Sequence, residues 1–152
     1  MLLRFLCLAH RTLVEQSHSR ALSVWDLSQQ KALLFQQRGE PERAVAAAGG
    51  ALEAAEVLLT MHRQATVIDL HRFTDAACLT LGLIRDLRQP ELTRRLLCGC
   101  IAKLQPQIVS GAHQGTALAC CQRLVEASTP SERIDAHEPV ANQAEAGNRL
   151  LH

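Results

Sequence analysis

The chain has 152 residues, and Leu (25) and Ala (22) supply nearly a third of them, against four aromatic residues and thirteen Val or Ile. Leu and Ala lose little rotamer freedom in a helix, whereas strands draw on β-branched and aromatic side chains, so this balance excludes an all-β fold. A composition of 47% hydrophobic and 20% charged residues excludes a disordered chain, and a net charge of +1 supplies no electrostatic footprint for nucleic acid.

Residues 2 to about 16 repeat apolar side chains at helical spacing, in one lane of Leu2, Leu6, Ala9 and Leu13 and a second of Leu3, Cys7, His10 and Val14. The uncharged apolar run Phe5 to Ala9 is too short for the hydrophobic region of a signal peptide. Ser17-His18-Ser19-Arg20 breaks the pattern, and a second helix is expected from about Ala21 to Arg38, with Gln29, Gln30, Gln36 and Gln37 on its polar side. Gly39 closes that helix and Pro41 opens the next, because glycine tolerates the left-handed conformation of a helix end and proline lacks an N–H that a first turn would leave unused. The third helix, about 41 to 62, carries Val45, Ala48, Leu52, Ala55 and Leu59 beside a lane of Ala44, Ala47, Ala51 and Ala54. Gly49-Gly50 falls in its middle, where each glycine costs about 1 kcal/mol relative to alanine, so close packing against that point is expected.

A fourth helix, about 66 to 87, is charged in its first half (Asp69, His71, Arg72, Asp75) and apolar from Ala76 to Ile84, which predicts a central second half. Arg88-Gln89-Pro90-Glu91 repeats the Pro-Glu start signal ahead of a fifth helix ending near Leu104 or Gln105. Pro106 is expected to open a sixth helix over about 106 to 127, divided at Gly111 and Gly115. Periodicity fades after Ala127, so the expected organisation is one helical domain over 1–127 and a mobile tail over 128–152 that holds at most a short helix. The tail carries a charge of −2 and leaves +3 on the domain. No run approaches 18 consecutive apolar residues, and no membrane association is expected.

Pro41-Glu42 and Pro90-Glu91 lie 49 residues apart, and Gly50 and Gly99 keep the same offset, so the chain reads as helical hairpins in series. The fold class is therefore all-α, with five to six antiparallel helices. Residues 32–52 resemble a tetratricopeptide repeat. Ala32 matches the small residue of its first helix, Phe35 the aromatic three residues on, Gly39 the turn, and Ala44 and Ala51 the small positions of its second helix. Lys31, Ala48 and Glu56 depart from that pattern, and the offset exceeds the family's period of about 34 residues. The resemblance implies stacked hairpins and a groove for a protein or peptide partner, lined by the first helix of each hairpin. Gln29, Gln36, Gln37, His71 and Asp75 are its candidate binding residues.

Catalytic patterns are absent from the sequence: there is no phosphate-binding glycine loop, nucleophile elbow, HExxH or CxxC. His71 and Asp75 share a helix face at a spacing that suits acid–base chemistry, but no second such pair accompanies them, and a solvated charged face is the simpler reading. Six cysteines (Cys7, Cys78, Cys98, Cys100, Cys120, Cys121) are too few for a disulfide scaffold and suit reduced thiols in a cytoplasmic setting. Residues i and i+2 of a helix diverge by about 200°, so Cys98 and Cys100 cannot turn to one ion, and the cysteines read as core filler. The alternative is a helical bundle that binds a metal through one cysteine per helix and a histidine. The expected function is a non-catalytic interaction module, a helical adaptor or small chaperone, with no cofactor and no metal. A homo-oligomer is compatible with it.

Overall fold

A computed structural model describes residues 4–130. Six helices follow one another: α1 (Leu8–Gln16), α2 (His18–Gln37), α3 (Pro41–Met61), α4 (Val67–Asp86), α5 (Pro90–Ser110) and α6 (Gln114–Ser128). There is no strand among the described residues. The protein is all-α, and consecutive helices pack as hairpins. Of the expected tail, residues 131–152 lie outside the described part of the chain.

The offset of 49 residues is a structural repeat. α4 begins and ends 49 residues after α2, and α5 begins and ends 49 residues after α3. The turns match atom for atom. Gly39 N–H donates to the Gln36 carbonyl (3.1 Å) and Glu40 N–H to that of Phe35 (2.9 Å), as Arg88 does to Arg85 (2.8 Å) and Gln89 to Ile84 (3.4 Å). Both turns place their central residue in the left-handed region, Gly39 at φ 70° and Arg88 at φ 55°. Glycine meets no Cβ clash there, but arginine does, and Arg88 is held in strain.

The two hairpins differ in how closely their helices lie. Ala32, Ala44, Ala51 and Ala55 are buried in the first, and the equivalent positions of the second are Leu81, Thr93, Cys100 and Leu104, also buried. Alanine lets α2 and α3 pack along their whole length, whereas the larger side chains hold α4 and α5 apart, and α6 packs against both. The main core lies there: Phe73, Leu70, Ile84, Leu96, Leu104, Cys120 and Leu124 meet with Leu52 and Leu59 from α3. α3 is apolar and long enough to cross a membrane by length and composition alone, yet 61% of the relevant stretch is buried within the bundle.

Three expected boundaries are corrected. Residues 4–7 are not helical, because the Phe5 and Leu6 amides bond to the Glu53 carboxylate in place of a helix ladder. The break between the first two helices is Ser17 alone, whose hydroxyl accepts from Arg20 N–H and starts α2 at His18, three residues before the expected Ala21. Pro106 does not open a helix but lies inside α5; it is exposed, and the packed Leu104 and half-buried Ile108 on either side carry the helix through it to Ser110. The sixth helix begins at Gln114, so Gly111 marks the break and Gly115 falls in the first turn of α6.

Arg88→Gly should raise stability by about 1 kcal/mol, and Gly39→Ala should lower it by a similar amount. Urea unfolding midpoints at constant slope provide the measurement.

Candidate functional site

The sequence-expected binding residues fall on two helices, Gln29, Gln36 and Gln37 on α2 and His71 and Asp75 on α4. Gln36 and Gln37 are exposed at the turn end of α2, while Gln29 is half-buried between helices. His71 and Asp75 are exposed in the first half of α4. By the 49-residue repeat, His71 corresponds to Leu22 of α2, fourteen residues before Gln36. Asp75 does not pair with His71. Its carboxylate accepts from Arg123 of α6 at 2.7 Å. Asp69, in the same charged stretch, is buried and closes a capping box with Thr66 at the start of α4. Arg72 reaches Asp69 at 3.4 Å and lies 5.7 Å over the Trp25 ring of α2. The charged half of α4 thus ties α4 to α2 and α6.

A cavity of about 1160 Å³ opens at the turn end of the second hairpin. Its walls come from the α4–α5 turn, the first turns of α5 and the end of α6, and they carry Arg85, Arg88 and Arg94 against one acid, Asp86. Arg85 is committed to the fold: it donates to the Ala127 and Thr129 carbonyls at 3.0 and 3.1 Å, closing the negative end of α6. Arg94 pairs with Glu91 at 2.7 Å, an exposed contact that stabilises little in water. Arg88 is exposed, and its guanidinium has no partner among the described residues. Thr93 and Gln89 complete a rim of hydrogen-bonding groups, and Leu97 and Pro90 supply an apolar floor. Such a cleft suits a negatively charged, partly apolar chain segment. Sequence reading missed it because its other wall, Ser128 and Pro130, comes from the end of α6, far along the chain from the α4–α5 turn.

A second site lies at the middle of α3. A Cβ at Gly49 would overlap the Phe5 ring, and one at Gly50 would lie 3.2 Å from Leu6, so the glycine pair is a notch that receives these side chains. The expectation of close packing holds, with side chains of the N-terminal segment as the packing group. Glu53, 7% exposed, stands one turn on and accepts the Phe5 N–H, the Leu6 N–H (2.9 Å) and Arg11 (2.5 Å). A buried carboxylate needs such partners to remain charged. The adjacent groove of about 330 Å³ carries Arg11, Glu53, Glu56 and Lys103, and these are joined as Arg11–Glu53 and Lys103–Glu56 pairs.

The cysteines separate by burial. Cys98 is exposed and Cys100 buried, as their divergence on the helix requires. Burial pushes the Cys100 thiol up to about 12 and raises those of Cys78 and Cys121. Cys7 is exposed at the start of α1, with Sγ 3.0 Å from His10 Nδ1. Hydrogen bonds from the His10 backbone amide and ring hold its thiol below the ordinary value. Among the described residues, no three His, Cys, Asp or Glu side chains converge as a metal site would require. No protein-family model matches the chain, and no curated protein or solved structure is significantly similar to it.

Iodoacetamide near neutral pH should label Cys7 well before Cys100, and His10→Ala should slow the Cys7 reaction, as followed by peptide mass mapping. Glu53→Ala should destabilise the fold by about 2–3 kcal/mol, read from urea unfolding, because two amides and a guanidinium lose a charged acceptor.

Proposed function

We propose that the protein is a non-catalytic interaction module, a helical adaptor or small chaperone, that binds an acidic segment of a partner protein in the cleft at the turn end of its second hairpin. The observation that carries this reading is Arg88: an arginine held at φ 55° where the equivalent turn uses Gly39, with no partner among the described residues and its side chain at the cleft. Strain kept at an exposed cation is what a binding role accounts for and a folding role does not. Arg85 is paired with Asp86 and Arg94 with Glu91, so Arg88 is the cleft cation left to favour a carboxylate-bearing ligand, whose two oxygens the fork of a guanidinium takes through two hydrogen bonds.

The serial hairpins and the tetratricopeptide-like residues Ala32, Phe35, Gly39, Ala44 and Ala51 support a binding role of the kind that helical repeats serve. A tetratricopeptide groove along the first helices would use Gln29, Gln36, Gln37, His71 and Asp75. The turn-end cleft is favoured over it because those residues are spread along two helices and Asp75 is already paired. The reduced cysteines suit a cytoplasmic setting.

The test is fluorescence anisotropy with a labelled Glu/Asp-rich peptide containing a few leucines, alongside neutral and Lys-rich versions of the same length. The acidic peptide should bind, more weakly as salt rises, and Arg88→Gly should cut its affinity about 10-fold while the fold becomes more stable. Equal binding of the three peptides, or an unchanged affinity in Arg88→Gly, would remove the cleft from the reading.

A further inference from the structure

The N-terminal arm, Arg4 to Gln16, is built as a detachable part. α1 buries one side chain, Val14, while Leu8 remains 81% exposed. The arm is held at three places: the Gly49–Gly50 notch filled by Phe5 and Leu6, the Glu53 carboxylate that takes two arm amides and Arg11, and the small cluster in which Val14 meets Ala21, Ala54 and Leu58. Its link to the body is a single extended residue, Ser17, at φ −160° and ψ 151°. One residue is a very short connection between two helices that fold back on one another. If Ser17 turns helical, α1 and α2 join into one helix of thirty residues, about 45 Å long, and the arm leaves the reach of its own notch.

Glu53 then stands buried without partners, and the glycine pair is left open. The segment whose chemistry fits both is the same segment of another copy: an aromatic and a leucine in succession, two free amides, and an arginine six residues after the aromatic. We propose that the arm is exchanged between two copies of the chain, each inserting Phe5 and Leu6 into the other's Gly49–Gly50 notch and presenting its amides and Arg11 to the other's Glu53. The exchange is reciprocal, so it closes as a two-fold dimer and leaves no notch unfilled. It makes the same contacts as the folded-back arm and releases the reversal at Ser17. It uses the middle of α3, no residue of which lines the arginine cleft, and it stands or falls independently of partner binding there.

The experiment mixes two full-length variants with complementary defects. Phe5→Ala blunts the arm and leaves the notch open, while Gly49→Ala fills the notch and leaves the arm intact. The wild-type mass by light scattering after size exclusion should rise from 16.7 kDa toward twice that as concentration approaches the effective concentration of a tethered arm, on the order of 1 mM or below. Each variant alone should remain a monomer. The mixture should give a one-to-one complex, and Gly49→Ala mixed with the Phe5→Ala/Gly49→Ala double variant should give none. Circular dichroism checks that each variant folds; should Gly49→Ala not fold, Glu53→Gln replaces it as the notch-defective partner with the same expected outcome. A wild type that is monomeric throughout with no complex in the mixture overturns the proposal. So does a wild-type dimer that survives both single variants, since it would then form through another face.

Discussion

The bundle depends on the small-residue surface of α3. Ala44, Ala48, Ala51 and Ala55 let helical neighbours approach closely, and Gly49 and Gly50 admit the Phe5 and Leu6 side chains on another side of the same helix. α3 is consequently touched by α1, α2 and α4 as well as by the N-terminal segment. Two mid-helix glycines would weaken an isolated helix by about 2 kcal/mol, and here the side chains seated on them offset that loss through buried apolar area. The buried acid on this surface, Glu53, then becomes the fixing point of the N-terminal segment, because a buried carboxylate is tolerated only where donors converge on it.

One backbone plan serves both hairpins, with different consequences. Equal helix lengths and matched turn hydrogen bonds place each residue of α4–α5 where one of α2–α3 stands. Replacing Ala32, Ala51 and Ala55 by Leu81, Cys100 and Leu104 widens the second hairpin, and α6 fills the added space. The end of α6 therefore comes beside the α4–α5 turn, where Arg85 caps it and the arginine cleft forms. The first hairpin, closed by alanine, has its own turn arginine in Arg43, which lies 4.2 Å over the Phe35 ring and pairs with Glu40. At the second turn Arg88 is left without such a partner.

Helix number, the Gly39–Pro41 and Arg88–Pro90 turns, the 49-residue period and the small lane of α3 were all legible in the sequence. They depend on local rules: rotamer freedom, helix-end conformation and the spacing of apolar residues. The misplaced boundaries have tertiary causes. The lane Leu2, Leu6, Ala9 and Leu13 has helical period, but residues 4–7 give up helix bonds for a carboxylate 47 and 48 residues away. Pro106 reads as a helix start, yet packing of Leu104 and Ile108 outweighs its local effect.

The candidate cleft was the least legible. Gln29, Gln36, Gln37, His71 and Asp75 were selected by their positions on single helices, and such positions do not tell which ends of which helices meet. That Arg85 reaches the α6 carbonyls, that Asp75 answers Arg123, and that Gly49 receives Phe5 are contacts 42 to 48 residues apart in sequence. The sequence by itself determined the helices, their order and their repeat, because the forces that specify them act within a few residues. Only the tertiary structure decided how far apart paired helices stand and which groups of distant helices meet, because side-chain volume at facing positions acts between segments distant along the chain.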